Sequence, residues 1–194
     1  ETLARVLMSD PAIEIEGARA NGQPFFLMAG AGFDGEVVKR LAAPLKQRVG
    51  KIAYIPATLQ ALRLPAADLD VTVDGASYRA GWVVVARARS YGGAFVMAPE
   101  AGLTRPGLVA VLFHSTRLLV RIRQLLALAI GRHHRLGDVD LIPCRQVSIR
   151  SASPVAVEVD GDMFGATPLD VDFGGPRMRL IVPSAYAEKV AAAI

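Results

Sequence analysis

The acids at turns are the residues in this sequence best placed to do chemistry. In VEVDGDMFG, residues 157–165, Asp160 and Asp162 flank one glycine inside a strand-like run. Asp-Gly alone makes a tight hairpin, because both residues tolerate positive φ. A second copy, VDGASY at 73–78, has alanine where Asp162 stands, so Asp162 is surplus to the turn. Aspartate is disfavoured in strands. Two readings follow: a solvated edge residue, or a general base held at the rigid start of a hairpin strand. Asp34, in GAGFDGEVV, is either an Asx-type turn or helix N-cap, or a carboxylate in a cleft. Other reactive sets fail. There is no GxxxxGK[ST] loop, the glycines at 30–35 are misspaced for a dinucleotide fingerprint, and no serine sits in a nucleophile elbow. His133 and His134 are adjacent rather than one turn apart, which fits the C-terminal end of a helix better than a metal site. Cys144, the single cysteine, has no motif around it and no partner for an internal disulfide, which fits a reducing compartment.

The elements that must position these residues are mostly strands. FFLMAGA at 25–31 reads as a buried strand followed by a turn at 32–35. EVVKRLAAPLKQRVG is partly helical and broken by Pro44, and residues 51–63 form a second helix with Pro56 as a kink. From Asp68 the period changes to two, with the Asp74-Gly75 hairpin. Residues 115–131 are one long helix, capped by Ser115 or Thr116 and ended by Gly131. Several strands with short turns follow, and a short helix closes the chain over 184–194. The order predicts a β-rich α+β fold: one antiparallel β-sandwich-like domain over residues 1–194, with a few helices at one end.

The 194 residues can bury a sizeable core, and 52% of them are hydrophobic. No uncharged apolar run reaches the length of about 18 residues that a membrane span needs. The net charge of +4 favours anionic partners, but the basic residues are scattered and lack interleaved aromatics, which argues against nucleic acid. The helix at 115–131 carries Arg117, Arg121 and Arg123 among leucines. It reads as a helix packed on the sheet with snorkelling arginines, or as one that grazes an anionic membrane. The opening ETLARVLMSD shows no signal-peptide pattern and reads as mid-helix, as if the chain were a piece of a longer one.

Taken in order, the motifs resemble the C-terminal domain of the diacylglycerol kinase/sphingosine kinase-like lipid kinases, particularly the soluble bacterial type. NGQPFFLMAGAGFDGEVV at 21–38, LKQRVGKIAY at 45–54, YGGAFVMAPEAGLTRPGLVAV at 91–111, the helix and Gly-x-His at 116–133, VDGDMFGATP at 159–168 and RLIVP at 179–183 match family motifs almost end to end. The resemblance implies a two-domain, ATP-dependent kinase of a lipid hydroxyl, on diacylglycerol or a sphingoid-like base. ATP and Mg2+ would be held mainly by an N-terminal nucleotide domain whose GGDGT motif does not occur here. It implies that this chain alone is inactive and carries no cofactor or metal. Asp162 falls on the family's catalytic glutamate, and Asp160-Gly161 makes the supporting turn. Asp34 and Lys46 fall on positions facing the nucleotide cleft, although for Lys46 a plain solvated lysine is an equal reading. Thr104-Arg105-Pro106-Gly107 lacks the aspartate with which some members hold a structural magnesium. Expected partners are a membrane lipid substrate and the nucleotide domain, with a homodimer left open. The expected location is cytoplasmic, with peripheral membrane association. Competing readings are a non-catalytic lipid-binding module, a kinase of a soluble substrate related to NAD kinases, and a structural β domain.

Overall fold

The computed structural model describes residues 10–40, 54–91 and 95–191. In chain order the elements are β1 (Ala12–Ala20), β2 (Gln23–Phe25), β3 (Met28–Gly32), α1 (Phe33–Arg40), α2 (Tyr54–Leu62), β4 (Leu69–Val73), β5 (Ala76–Ala80), β6 (Trp82–Ala86), β7 (Ser90–Tyr91), β8 (Phe95–Val96) and β9 (Leu108–Phe113). There follow α3 (Leu118–Ala129), a 3-10 turn (His133–Arg135), β10 (Val139–Cys144), β11 (Gln146–Arg150), β12 (Ala156–Val159), β13 (Asp162–Ala166), β14 (Leu169–Ile181) and α4 (Ser184–Ala191).

Two six-stranded sheets, both antiparallel, form the sandwich that the period-two patterning predicts. The first runs β2-β1-β14-β11-β4-β5, and the second β10-β9-β6-β3-β12-β13. Alternation along each strand sends one set of side chains between the sheets. Leu69, Val71, Val147, Ile149, Leu169 and Val171 from the first sheet meet Ala29, Ala31, Val83, Val85, Leu112 and Val157 from the second. The first sheet's other face is polar and solvated, with Arg79 bridging Asp68 and Asp70, and Arg150 pairing with Asp170.

The second sheet is covered on both faces, so β6 and β9 are buried at every position. Met28, Trp82, Val84, Val111 and Phe113 point away from the sandwich core. They pack against Phe33 and Val37 of α1, Ala57 and Ala61 of α2, and Leu128 of α3. Helices α1, α2 and α3 therefore gather on one side of the sandwich, over the second sheet.

Two local expectations change. Residues 33–35 do not form a turn; they are the first residues of α1. Gly35 permits this, because a Cβ there would lie 2.3 Å from the Ala156 carbonyl oxygen, so the helix rests directly on β12. Pro56 lies within α2. Ser115 takes the Arg117 N–H at 3.2 Å ahead of α3, while Arg117 itself occupies the cap position without a side-chain bond. Gly131 ends α3 at φ +66, as expected.

Candidate functional site

Three hairpins share one construction. Asn21-Gly22, Asp74-Gly75 and Asp160-Gly161 each hold two successive positive φ values. That geometry matches the right-handed twist of the strands and selects Asn or Asp followed by Gly. In each, the first residue's side chain fixes a neighbouring piece of backbone. Asn21 Oδ1 accepts the Asp170 N–H at 2.8 Å. Asp74 accepts N–H groups from Arg145 and Gln146. Asp160 accepts three, from Phe26 (2.9 Å), Leu27 (2.8 Å) and Met28 (3.0 Å). Its carboxylate thus pins the β12–β13 turn to the chain entering β3.

Behind this turn lies a second acid that sequence reasoning missed. Glu158 of β12 is fully buried on the helix side of the sheet, and its Oε2 accepts the Gly161 N–H at 2.8 Å. Beside it is Asp34, in the first turn of α1 and 2% exposed. Gly30 lies opposite Glu158 in the sheet register. A Cβ on Gly30 would stand 2.3 Å from Asp34 Oδ2 and 3.0 Å from Glu158 Oε1, so only glycine leaves room for the carboxyl pair. Burial first, then the charge and hydrogen bond of Asp34, push the Glu158 carboxyl up to about 10, against a weaker opposing effect of the Gly161 N–H. Burial and the neighbouring acid thus favour the protonated form of Glu158. The alternation Val157-Glu158-Val159 alone would assign Glu158 to a solvated face. The only hint was the glycine at position 30, across a strand pairing that the sequence does not reveal.

Asp162 is the first residue of β13, the edge strand of its sheet, and is exposed. The structure thus gathers Asp34, Glu158, Asp160, Gly161 and Asp162 around one hairpin. Asp34, in the first turn of α1, is buried and lies against Glu158 in the interior. Lys46 lies outside the described residues, as do Pro44, Gly92 and Gly93.

Residues 28–186 match the family model of the YegS C-terminal NAD kinase beta sandwich-like domain. The chain belongs to this family. Two structures described as candidate diacylglycerol kinases of Bacillus anthracis str. Sterne each superpose with a TM-score of 0.72, at 20% and 21% identity. These matches cover 93% and 94% of the present chain, and 60% and 61% of the other chains. An uncharacterized protein of Synechocystis sp. is 24% identical over 165 residues, which is 81% of this chain and 38% of that protein. The chain therefore spans well under two thirds of the relatives it matches. The matched segment includes all the acids of the hairpin site.

Elsewhere in this YegS-type domain, polar residues organise the loops. Arg87 of the β6 exit is 1% exposed and donates to the carbonyls of Glu16 (2.7 Å), Leu103 (2.6 Å) and Gly102. The carbonyls of Gly102 and Leu103 are thus already taken by a guanidinium, and among the described residues no group of three or more His, Cys, Asp or Glu could hold a metal ion. The donor set does not suit magnesium, which wants carboxylate oxygens. His133 follows α3 in the 3-10 turn and is fully buried, with Nε2 2.7 Å from the Met97 carbonyl, and burial lowers its pKa. Cys144 packs in the core, its thiol pushed up to about 11 by burial.

Proposed function

We propose that this domain is the acceptor-side half of an ATP-dependent lipid kinase, with Asp162 as the base that receives the proton of the lipid hydroxyl. The observation that carries the reading is the way Asp162 is held. The residue before it is fixed by buried Glu158, and the residue before that by three backbone N–H groups. An exposed carboxylate on so rigid a turn orients an incoming hydroxyl at little entropic cost.

In the transfer, the lipid O–H proton passes to an Asp162 carboxylate oxygen while the lipid oxygen bonds to the γ-phosphorus. The bond from that phosphorus to the bridging oxygen breaks, and ADP leaves. Positioning and electrostatics supply most of the rate in such reactions. ATP and its magnesium belong, on this reading, to a nucleotide domain in the full-length protein. Diacylglycerol or a sphingoid-type base is the acceptor. The reading rests on family membership, on the fold shared with the Bacillus anthracis structures, and on the Asp-Gly-Asp hairpin.

The test is labelled-phosphate transfer from ATP by the full-length protein across a lipid panel, with Asp162→Asn alongside. Native enzyme should label a lipid, and the variant should lose at least about a hundredfold in kcat while still binding ATP. Equal rates would reduce Asp162 to a turn residue. Lipid binding without transfer by either protein would favour a non-catalytic lipid-binding module.

A further inference from the structure

Helix α3 is built inside out. Its inward positions are Arg121, Gln124, Ala127 and Leu128. Its outward positions include Leu119 (80% exposed), Ile122, Leu126 (64%) and Ile130 (69%), spaced as a continuous apolar stripe. A surface helix ordinarily buries such a stripe. Here the inward polar groups are committed. The Arg121 guanidinium lies 5.2 Å over the Phe33 ring and donates to the Leu64 and Ala61 carbonyls at the end of α2. Gln124 donates to Asp138 through both its carboxylate and its carbonyl. Turning the helix to hide the leucines would strip these carbonyls of their donors, so the stripe is held outward. On the neighbouring helix α2, Ile55 and Leu59, one turn apart, are also more than half exposed.

The helix and the turn that follows it carry charge of one sign, and the one acid bonded to them among the described residues, Asp138, is engaged by Arg123 and Gln124. Residues 115–137 contain five arginines and two histidines and no acid. Arg121 is buried and Arg123 pairs with Asp138, while Arg117, Arg132 and Arg135 stand in solvent at the two ends of the stripe. We propose that this face of α3 docks on an anionic phospholipid bilayer, its leucines and isoleucines entering the acyl boundary and its terminal arginines meeting the headgroups. An apolar stripe with basic flanks is the pattern of a helix that lies in the plane of such an interface. A protein partner would need acids placed to match, whereas an anionic bilayer supplies them everywhere. This face contains no residue of the hairpin site, so docking through it is independent of the kinase reading.

The experiment is co-sedimentation of the full-length protein with vesicles of phosphatidylcholine alone and of phosphatidylcholine containing phosphatidylglycerol. The variants are Leu119→Glu/Leu126→Glu and Arg132→Glu/Arg135→Glu, each checked for a native circular dichroism spectrum. All four positions are exposed, so folding should survive. Native protein should bind the anionic vesicles and release with salt, and each double variant should bind at least about tenfold more weakly. No binding by native protein, or equal binding by the leucine variant, overturns the proposal. So does a native dimer that the leucine variant splits while vesicle binding stays unchanged, because the face would then belong to a second copy. Readout by binding keeps this outcome separate from phosphate transfer.

Discussion

Asp160 and Glu158 divide the work at the hairpin: one accepts three backbone N–H groups, the other is an acid whose neutral form burial favours. The neutral state has a measurable consequence. An unfolded glutamate ionises near the reference value of 4.5, whereas Glu158 in the fold holds its proton to about 10. Between those values the native state binds a proton that the unfolded state has lost, so raising pH through that window destabilises the fold. Glu158→Gln keeps an oxygen for the Gly161 N–H and a donor for Asp34 without the proton linkage. The variant should gain melting temperature relative to native protein as pH rises from about 5 to about 9, read by thermal melts at several pH values. Parallel native and variant curves would mean that Glu158 is not protonated in the fold. Residue chemistry was unevenly legible in the sequence. The Asp-Gly and Asn-Gly turns were readable because their signal is local: two residues that tolerate positive φ. Glu158 was not, because its burial depends on which helix covers that face of β12.

At the scale of elements, the contact of α1 with β12 decides where Asp34 points. The two backbones touch through Gly35. Gly35→Ala would set a Cβ 2.5 Å from the Ala156 carbonyl carbon, which neither strand nor helix can yield without moving. The expected cost is about 2 kcal/mol or more, measured by denaturant unfolding, with a loss of the Glu158 pH dependence as Asp34 is displaced. Gly131 is the control: its left-handed φ of +66 disfavours alanine, but nothing stands within 4 Å of the new atom. Gly131→Ala should cost only about 1 kcal/mol and leave the pH dependence intact. Comparable losses in both variants would deny the close approach. Many strand positions and the extent of α3, but not β1, were legible from period and punctuation. The facing of α3 was not. Its leucines make a stripe on any helical wheel, and only the carbonyls at the end of α2 explain why Arg121 takes the inward place.

For the whole molecule the same lesson holds at Arg87, which reads in the sequence as one of the two arginines in ARAR and proves to be among the largest fully buried side chains. It leaves the second sheet, reaches the Glu16 carbonyl on β1 of the first, and holds the loop at Gly102 and Leu103. The Phe173 ring on β14 covers its guanidinium at 5.4 Å. One planar cation thus joins both sheets and the long connection to β9. Burial lowers its pKa, yet a guanidinium stays charged, so its worth lies in how many carbonyls it satisfies at once. Lysine presents a point charge that cannot span three diverging carbonyls. Arg87→Lys should therefore cost about 2–4 kcal/mol, as two buried acceptors lose their donors. The exposed Arg79, which pairs with Asp68 and Asp70 in solvent, supplies the contrast: Arg79→Lys should leave the denaturation midpoint unchanged. If the two substitutions behave alike, Arg87 does not join the sheets, and the loop at 102–103 must be held by packing alone.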